Sequence, residues 1–142
     1  MRRLLPLLIL AGCAVAPETP PEPKPEPPPP PVVAAPKENI AIAGLMESAR
    51  ADAAAGKLPN AAASLERALR IEPRNPRLWH ELARVRFQQG QHAQAENVAV
   101  RSNSFAGDDK ALRAENWKLI AETRKARGDG EGARQALEQA AR

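Results

Sequence analysis

Three glycines punctuate the chain at nearly even intervals: Gly90 follows Gly56 by 34 residues, and Gly128 follows Gly90 by 38. Each sits in the same surroundings. Seven residues upstream stand Ala49, Ala83 and Ala121; five downstream stand Ala61, Ala95 and Ala133. Eleven upstream is a large apolar residue, Leu45, Trp79 or Trp117, and twelve downstream a small one, Ala68, Ser102 or Ala140. Alanine is common here, 24 of the 103 residues from Ile40 onward, so alanine matches alone would be weak. The two tryptophans and three glycines in register carry the argument. A repeat of this period cannot bury its apolar face alone, so the units must stack, and three is the lower limit for a stable stack.

Each unit reads as two helices. In the second, Asn75 is placed to cap a helix whose first turn holds Pro76, with Trp79, Leu82, Ala83 and Phe87 near one face. Gly90 breaks that helix, and His92 to Asn103 gives its partner, with Ala95, Val98, Ala99 and Ser102 at helical spacing. Small residues at Ala83 and Ala95 let the backbones approach, while Trp79 fills the gap between repeats. The first unit is expected from about Ile42 to Pro73, and the third from about Asp109 onward, with Asp129 capping the last helix. The four extra residues of the second interval are expected around Ser104 to Lys110, in a loop with an added turn on the following helix. Glu131, Arg134, Glu138 and Gln139 are expected to solvate the outer face of the last helix.

The pattern resembles the tetratricopeptide repeat. Leu45, Ala49, Gly56, Ala61, Leu65, Ala68 and Pro73 follow it, as do Trp79, Leu82, Ala83, Gly90 and Ala95, and again Trp117, Ile120, Ala121, Gly128, Ala133, Leu137 and Ala140. Two features depart from it. The usual tyrosine position holds Asp52, Arg86 and Arg124, and the closing proline of the second unit is Gly107. The resemblance implies an all-α domain of about three helical hairpins over residues 40–142, and it specifies fold rather than function.

The first thirteen residues carry the most specific short motif. Arg2 and Arg3 precede an apolar run from Leu4 to Leu10, too short for the roughly 20 residues that span a bilayer. The run ends in Leu10-Ala11-Gly12-Cys13, which resembles the lipobox of bacterial lipoproteins. That resemblance implies removal of residues 1–12 and acylation of Cys13. Burial contributes about 0.8 kcal/mol per CH₂, so three acyl chains make a lasting anchor. No acidic residue follows the cysteine in Ala14, Val15 and Ala16, which by likeness to sorted lipoproteins implies the outer membrane, facing the periplasm.

Between anchor and repeats, 11 of the 20 residues from Pro17 to Pro36 are proline, with Glu18, Glu22, Lys24 and Glu26 among them. Such a segment has no apolar face to bury, and its composition favours extended polyproline II over residues 13–39. At about 3.1 Å per residue it reaches roughly 80 Å, against about 30 Å root-mean-square for a Gly/Ser tether of equal length. Two readings stand: a passive spacer, and a PxxP ligand for a partner domain.

Charge and chemistry exclude more than they select. The formal charge is +4, and loss of Arg2 and Arg3 leaves 19 basic against 17 acidic residues, too even a balance to argue for nucleic acid. Cys13 is the only cysteine, so neither an internal disulfide nor a thiolate metal cluster is possible within one chain. His80-Glu81 begins like the helical zinc motif H-E-x-x-H, but Arg84 takes the closing position. No nucleophile with its base, paired carboxylates or phosphate loop is found, so neither catalysis nor a cofactor is expected.

In tetratricopeptide arrays the first helix of each repeat lines the concave face. By that resemblance the groove receives Met46, Arg50, His80, Arg84, Phe87, Lys118, Glu122 and Lys125, a mostly basic strip around one aromatic. The alternative is a solvated face that only keeps the repeats soluble. Anchor, stiff spacer and small repeat domain together resemble the Lpo-type activators of bifunctional penicillin-binding proteins, in the form built on tetratricopeptide repeats. The resemblance implies a monomeric outer-membrane lipoprotein that crosses the periplasm to stimulate an inner-membrane peptidoglycan synthase. A pilotin or assembly adaptor for an outer-membrane secretin is the other reading.

Overall fold

A computed structural model describes residues 37–142; the signal segment, Cys13 and the proline-rich stretch to Pro36 lie outside the described residues. Six helices follow one another: α1 (Lys37–Ala54), α2 (Leu58–Ile71), α3 (Pro76–Gln88), α4 (His92–Phe105), α5 (Lys110–Ala126) and α6 (Gly130–Ala140). They form three antiparallel hairpins, α1/α2, α3/α4 and α5/α6, stacked through α2 on α3 and α4 on α5. α1 begins at Lys37, three residues ahead of the expected domain start at Ile40.

The three hairpin turns close alike because the same residues recur in them. Gly56, Gly90 and Gly128 have φ of 72°, 75° and 83°, the left-handed region that favours glycine. Past each glycine, the next amide donates back across the turn: Lys57 to Asp52 O (2.8 Å), Gln91 to Arg86 O (2.9 Å) and Asp129 to Arg124 O (2.9 Å). Carbonyls at the helix end that would otherwise lack a donor are thereby satisfied.

Starts are set as firmly as stops. Asn75 Oδ1 accepts from the amides of Arg77 (3.0 Å) and Leu78 (3.4 Å), with Pro76 as the first residue of α3. Asp109 caps α5 through the Leu112 amide at 3.0 Å, and Asp129 caps α6 through the Gly132 amide at 2.8 Å. Each such cap stabilises by about 1 kcal/mol. The connections at 72–75 and 106–109 are of equal length, and the longer second interval is absorbed wholly by α5, with 17 residues against the 13 of α3. Of the two features expected around Ser104 to Lys110, the loop is not lengthened and the added turn on the following helix is present, opened by the Asp109 cap and seated by buried Leu112.

Two apolar clusters share α3 between them. Ile42, Ala49, Ala61, Leu65, Ala68, Leu69, Leu78, Leu82 and Val85 join the first hairpin to one side of α3. Ala83, Ala99, Leu119, Ile120, Ala121, Ala133 and Ala136 join its other side to α4, α5 and α6. Ala49, Ala61, Ala83, Ala95, Ala121 and Ala133 are all buried, as close crossing of helices within a hairpin requires. On α6, Glu131, Arg134 and Glu138 are exposed, and Leu137 with them.

Because α3 serves both clusters, a cavity there weakens the whole stack. Leu78, fully buried, should cost about 2–5 kcal/mol when cut to alanine. Urea unfolding followed by tryptophan fluorescence should show one transition moved to lower urea with unchanged slope; a shift equivalent to less than about 0.5 kcal/mol, the scale of a neutral surface change, would contradict this packing.

Candidate functional site

The first helices of the first two repeats enclose a cleft of about 300 Å³ between α1 and α3. Met46, Ala49, Ala53, Leu65 and Val85 give it an apolar lining. Its origin lies in the repeat register. The position three residues before the turn glycine is Phe87 in the second repeat, where the ring packs on the second core cluster. In the first repeat that position is Ala53, and the small side chain leaves space. At the lower end of the usual range for ligand pockets, the cleft suits one or two side chains of a partner better than a cofactor.

Charge is organised along its rim by Glu81. Its carboxylate accepts from Arg50 on α1 at 3.1 Å and from Arg84 one turn along α3 at 3.5 Å. One anion thus faces two cations, leaving a net positive charge. The side chains of Arg50 and Arg84 are 58% and 55% exposed against 19% for Glu81, so both guanidiniums keep donors open to solvent. At such exposure each pair contributes only about 0.2–1 kcal/mol to folding.

The expected groove residues divide. Met46, Arg50 and Arg84 meet at the cleft. Phe87 does not: half-buried, it packs into the core and tilts against His92 with ring centroids 5.2 Å apart, so the expected groove aromatic is a core residue. His80 is held between repeats, with Nδ1 2.7 Å from Asn116 Oδ1 and Nε2 3.8 Å from Glu115 on α5. Lys118, Glu122 and Lys125 are exposed on α5, outside the cleft lining.

Two residues that organise this face are not marked by the repeat pattern. Glu81 stands out in the sequence only as part of a broken zinc motif. Asn116 occupies the register position that holds fully buried Leu78 in the second repeat, so a polar side chain at a core position was the available signal. Fully buried itself, Asn116 donates through Nδ2 to Ser102 Oγ (2.7 Å) and Asn103 Oδ1 (2.9 Å). Both amide hydrogens are thereby used, so Oδ1 accepts and His80 Nδ1–H donates. Ser102 Oγ in turn donates to Pro76 O at 2.8 Å, closing a network through α3, α4 and α5.

The arginines at the usual tyrosine position also link repeats. Arg86 pairs with Glu66 of α2 at 2.5 Å, and Arg124 with Glu96 of α4 at 2.7 Å while donating to Gly132 O at 3.1 Å. In both cases the first helix of one repeat is tied to the second helix of the repeat before it. Among the described residues no group of His, Cys, Asp and Glu is arranged to hold a metal ion, and no helix is long and apolar enough to cross a membrane.

Three stacked helical hairpins with a cleft between their first helices define a tetratricopeptide-repeat domain, and the family model described as tetratricopeptide repeat matches residues 52–114. A solved structure, the globular C-terminal domain of P. aeruginosa LpoP, is 44% identical, with the match covering 72% of this chain and 96% of that one at a TM-score of 0.71. The chain belongs to the LpoP family. No curated protein sequence matches it.

Removing Asn116 strands the groups around it. Asn116→Ala should lower the unfolding free energy by about 1–3 kcal/mol, the cost of leaving buried partners unpaired. In a cycle with Ser102→Ala the effects should couple by at least about 0.5 kcal/mol, whereas strict additivity would show that the network does not act as a unit.

Proposed function

We propose that the chain is an outer-membrane lipoprotein, anchored through Cys13, whose repeat domain docks on an inner-membrane bifunctional penicillin-binding protein and stimulates it. The observation that carries the reading is membership of the LpoP family across nearly the whole of the related domain. Its support from this chain's own residues is the order of its parts: a lipobox ending at Cys13, a proline-rich tether, and a helical domain with an apolar cleft under a basic rim. A partner in the anchoring membrane would need no stiff spacer. With α1 beginning at Lys37, residues 14–36 remain for the tether, about 70 Å when fully extended.

The domain works in this reading by binding and not by catalysis. An apolar side chain of the synthase enters the cleft over Met46 and Leu65, and an adjacent carboxylate meets the open edges of Arg50 and Arg84. Stimulation follows if the synthase presents that surface better in its active conformation than in its idle one. A tenfold preference corresponds to about 1.4 kcal/mol, within reach of a few contacts.

The test adds the chain from Ala14 onward to the synthase with lipid II and follows glycan-strand formation. The rate should rise. Ala53→Phe, which fills the cleft, and Arg50→Gln with Arg84→Gln should each weaken the effect at least tenfold while leaving the helical signal intact. Wild-type chain that neither binds nor changes the rate would reject the activator reading. Stimulation untouched by all three substitutions would move the docking site elsewhere. Deleting Pro17 to Pro36 should abolish function in cells yet leave the activity of the purified chain unchanged; cells indifferent to the deletion would show that distance is not what the tether supplies.

A further inference from the structure

On the far side of α3 from the cleft, two arginines lie over two aromatic rings. The Arg101 guanidinium carbon is 4.9 Å from the ring centre of Trp79 and 5.6 Å from that of Phe105, and the Arg74 carbon is 5.7 Å from the Phe105 centre. Trp79 is itself fixed, its indole N–H donating to Pro73 O at 2.8 Å. Trp79 and Glu81 are two residues apart on α3, about 200° around the helix axis, so this cluster and the cleft rim look in opposite directions.

A guanidinium resting on a ring uses its flat face and leaves its N–H edge free. Elsewhere in the domain Arg50, Arg77, Arg84, Arg86, Arg124 and Arg127 find carboxylates, while Arg67, Arg70 and Arg113 have none among the described residues, so it is the rings beneath Arg74 and Arg101 that set these two apart. Arg74 and Arg101 have no ion-pair partner among the described residues, and both are exposed. Two acids close by in the chain are held by other partners: Glu72 accepts from Asn75 Nδ2 at 2.7 Å, and Asp109 from Arg77 at 3.0 Å. Beside Arg74, Ile71 lines the same surface hollow and is 40% exposed.

We infer that Arg74, Arg101, Trp79 and Phe105 form a second docking surface, one that takes an acidic segment of protein in which carboxylates flank an apolar side chain. The carboxylates meet the two guanidinium edges, which lie over the rings, and the apolar side chain covers Ile71. A purely anionic polymer or lipid headgroup would use the arginines and leave Ile71 bare, so a protein segment is the better complement. The surface does not depend on the reading of the cleft. If both hold, the domain can be gripped on two faces, which raises avidity without strengthening either contact.

The test titrates the isotope-labelled chain from Ala14 onward with a short soluble peptide of alternating glutamate and leucine, with its glutamine counterpart, and with phosphatidylglycerol vesicles. Saturable shifts are expected at the Trp79 indole N–H and at the amides of Arg74, Arg101 and Phe105 with the glutamate peptide. Arg74→Gln with Arg101→Gln should weaken that binding at least fivefold at unchanged helical content. No saturable shift in the millimolar range, shifts confined to Arg50 and Arg84, an equal response to the glutamine peptide, or a response to vesicles alone would each overturn the assignment.

Discussion

Close approach of two helix backbones, permitted by alanine at each crossing and fixed by a glycine turn, is the constraint from which the rest of the domain follows. Ala49 with Ala61, Ala83 with Ala95 and Ala121 with Ala133 stand seven residues before and five after the turn glycines, and all six are buried. A larger side chain at any of them would push its hairpin open and tilt the next repeat. Larger residues are therefore confined to the seams between hairpins, where Leu65, Leu78 and Ile120 are buried with almost no exposure. The cleft comes from the same economy of volume: where the second repeat spends a phenylalanine on packing, the first has Ala53, and the unfilled space opens toward solvent.

Polar ties then set how the hairpins sit on one another. Arg86 and Arg124 occupy equivalent places and reach back to Glu66 and Glu96, so a departure from the usual tyrosine becomes an ionic clasp between successive repeats. Arg77 adds a longer link, from the start of α3 to the Asp109 cap of α5, and Asn116 joins three helices from inside. The exposed pairs each contribute little. The buried amide is different, because its partners lose water as well as each other when it is removed.

Much of this was legible in the residues. Glycine spacing gave three hairpins, Asn75 and Asp129 gave helix starts, and alanine spacing gave the crossings, because these rest on local backbone chemistry. Where the four extra residues go was only half legible: the span Ser104 to Lys110 suggested a loop with an added turn on the next helix, and equal connections with a longer α5 leave only the turn. Of the residues expected on the concave face by likeness to tetratricopeptide arrays, Met46, Arg50 and Arg84 line one cleft. Phe87 does not: an aromatic on the edge of a helical face can turn to the groove or to the core, and only the volume left by Ala83 and Ala121 decides. Glu81 and Asn116 act through partners on other helices, which the order of residues along one chain does not display.

A domain with an apolar cleft under a basic rim on one face of its shared helix and an arginine–aromatic cluster on the other offers a partner two surfaces, and the function we propose makes that partner a synthase across the periplasm. The most direct test puts a photo-crosslinking residue at Met46 of the full-length chain in living cells, with exposed Leu137 on α6 as the control position. The account predicts that illumination couples Met46, and not Leu137, to a bifunctional synthase of the inner membrane. Coupling of Met46 only to proteins of the outer membrane would contradict it.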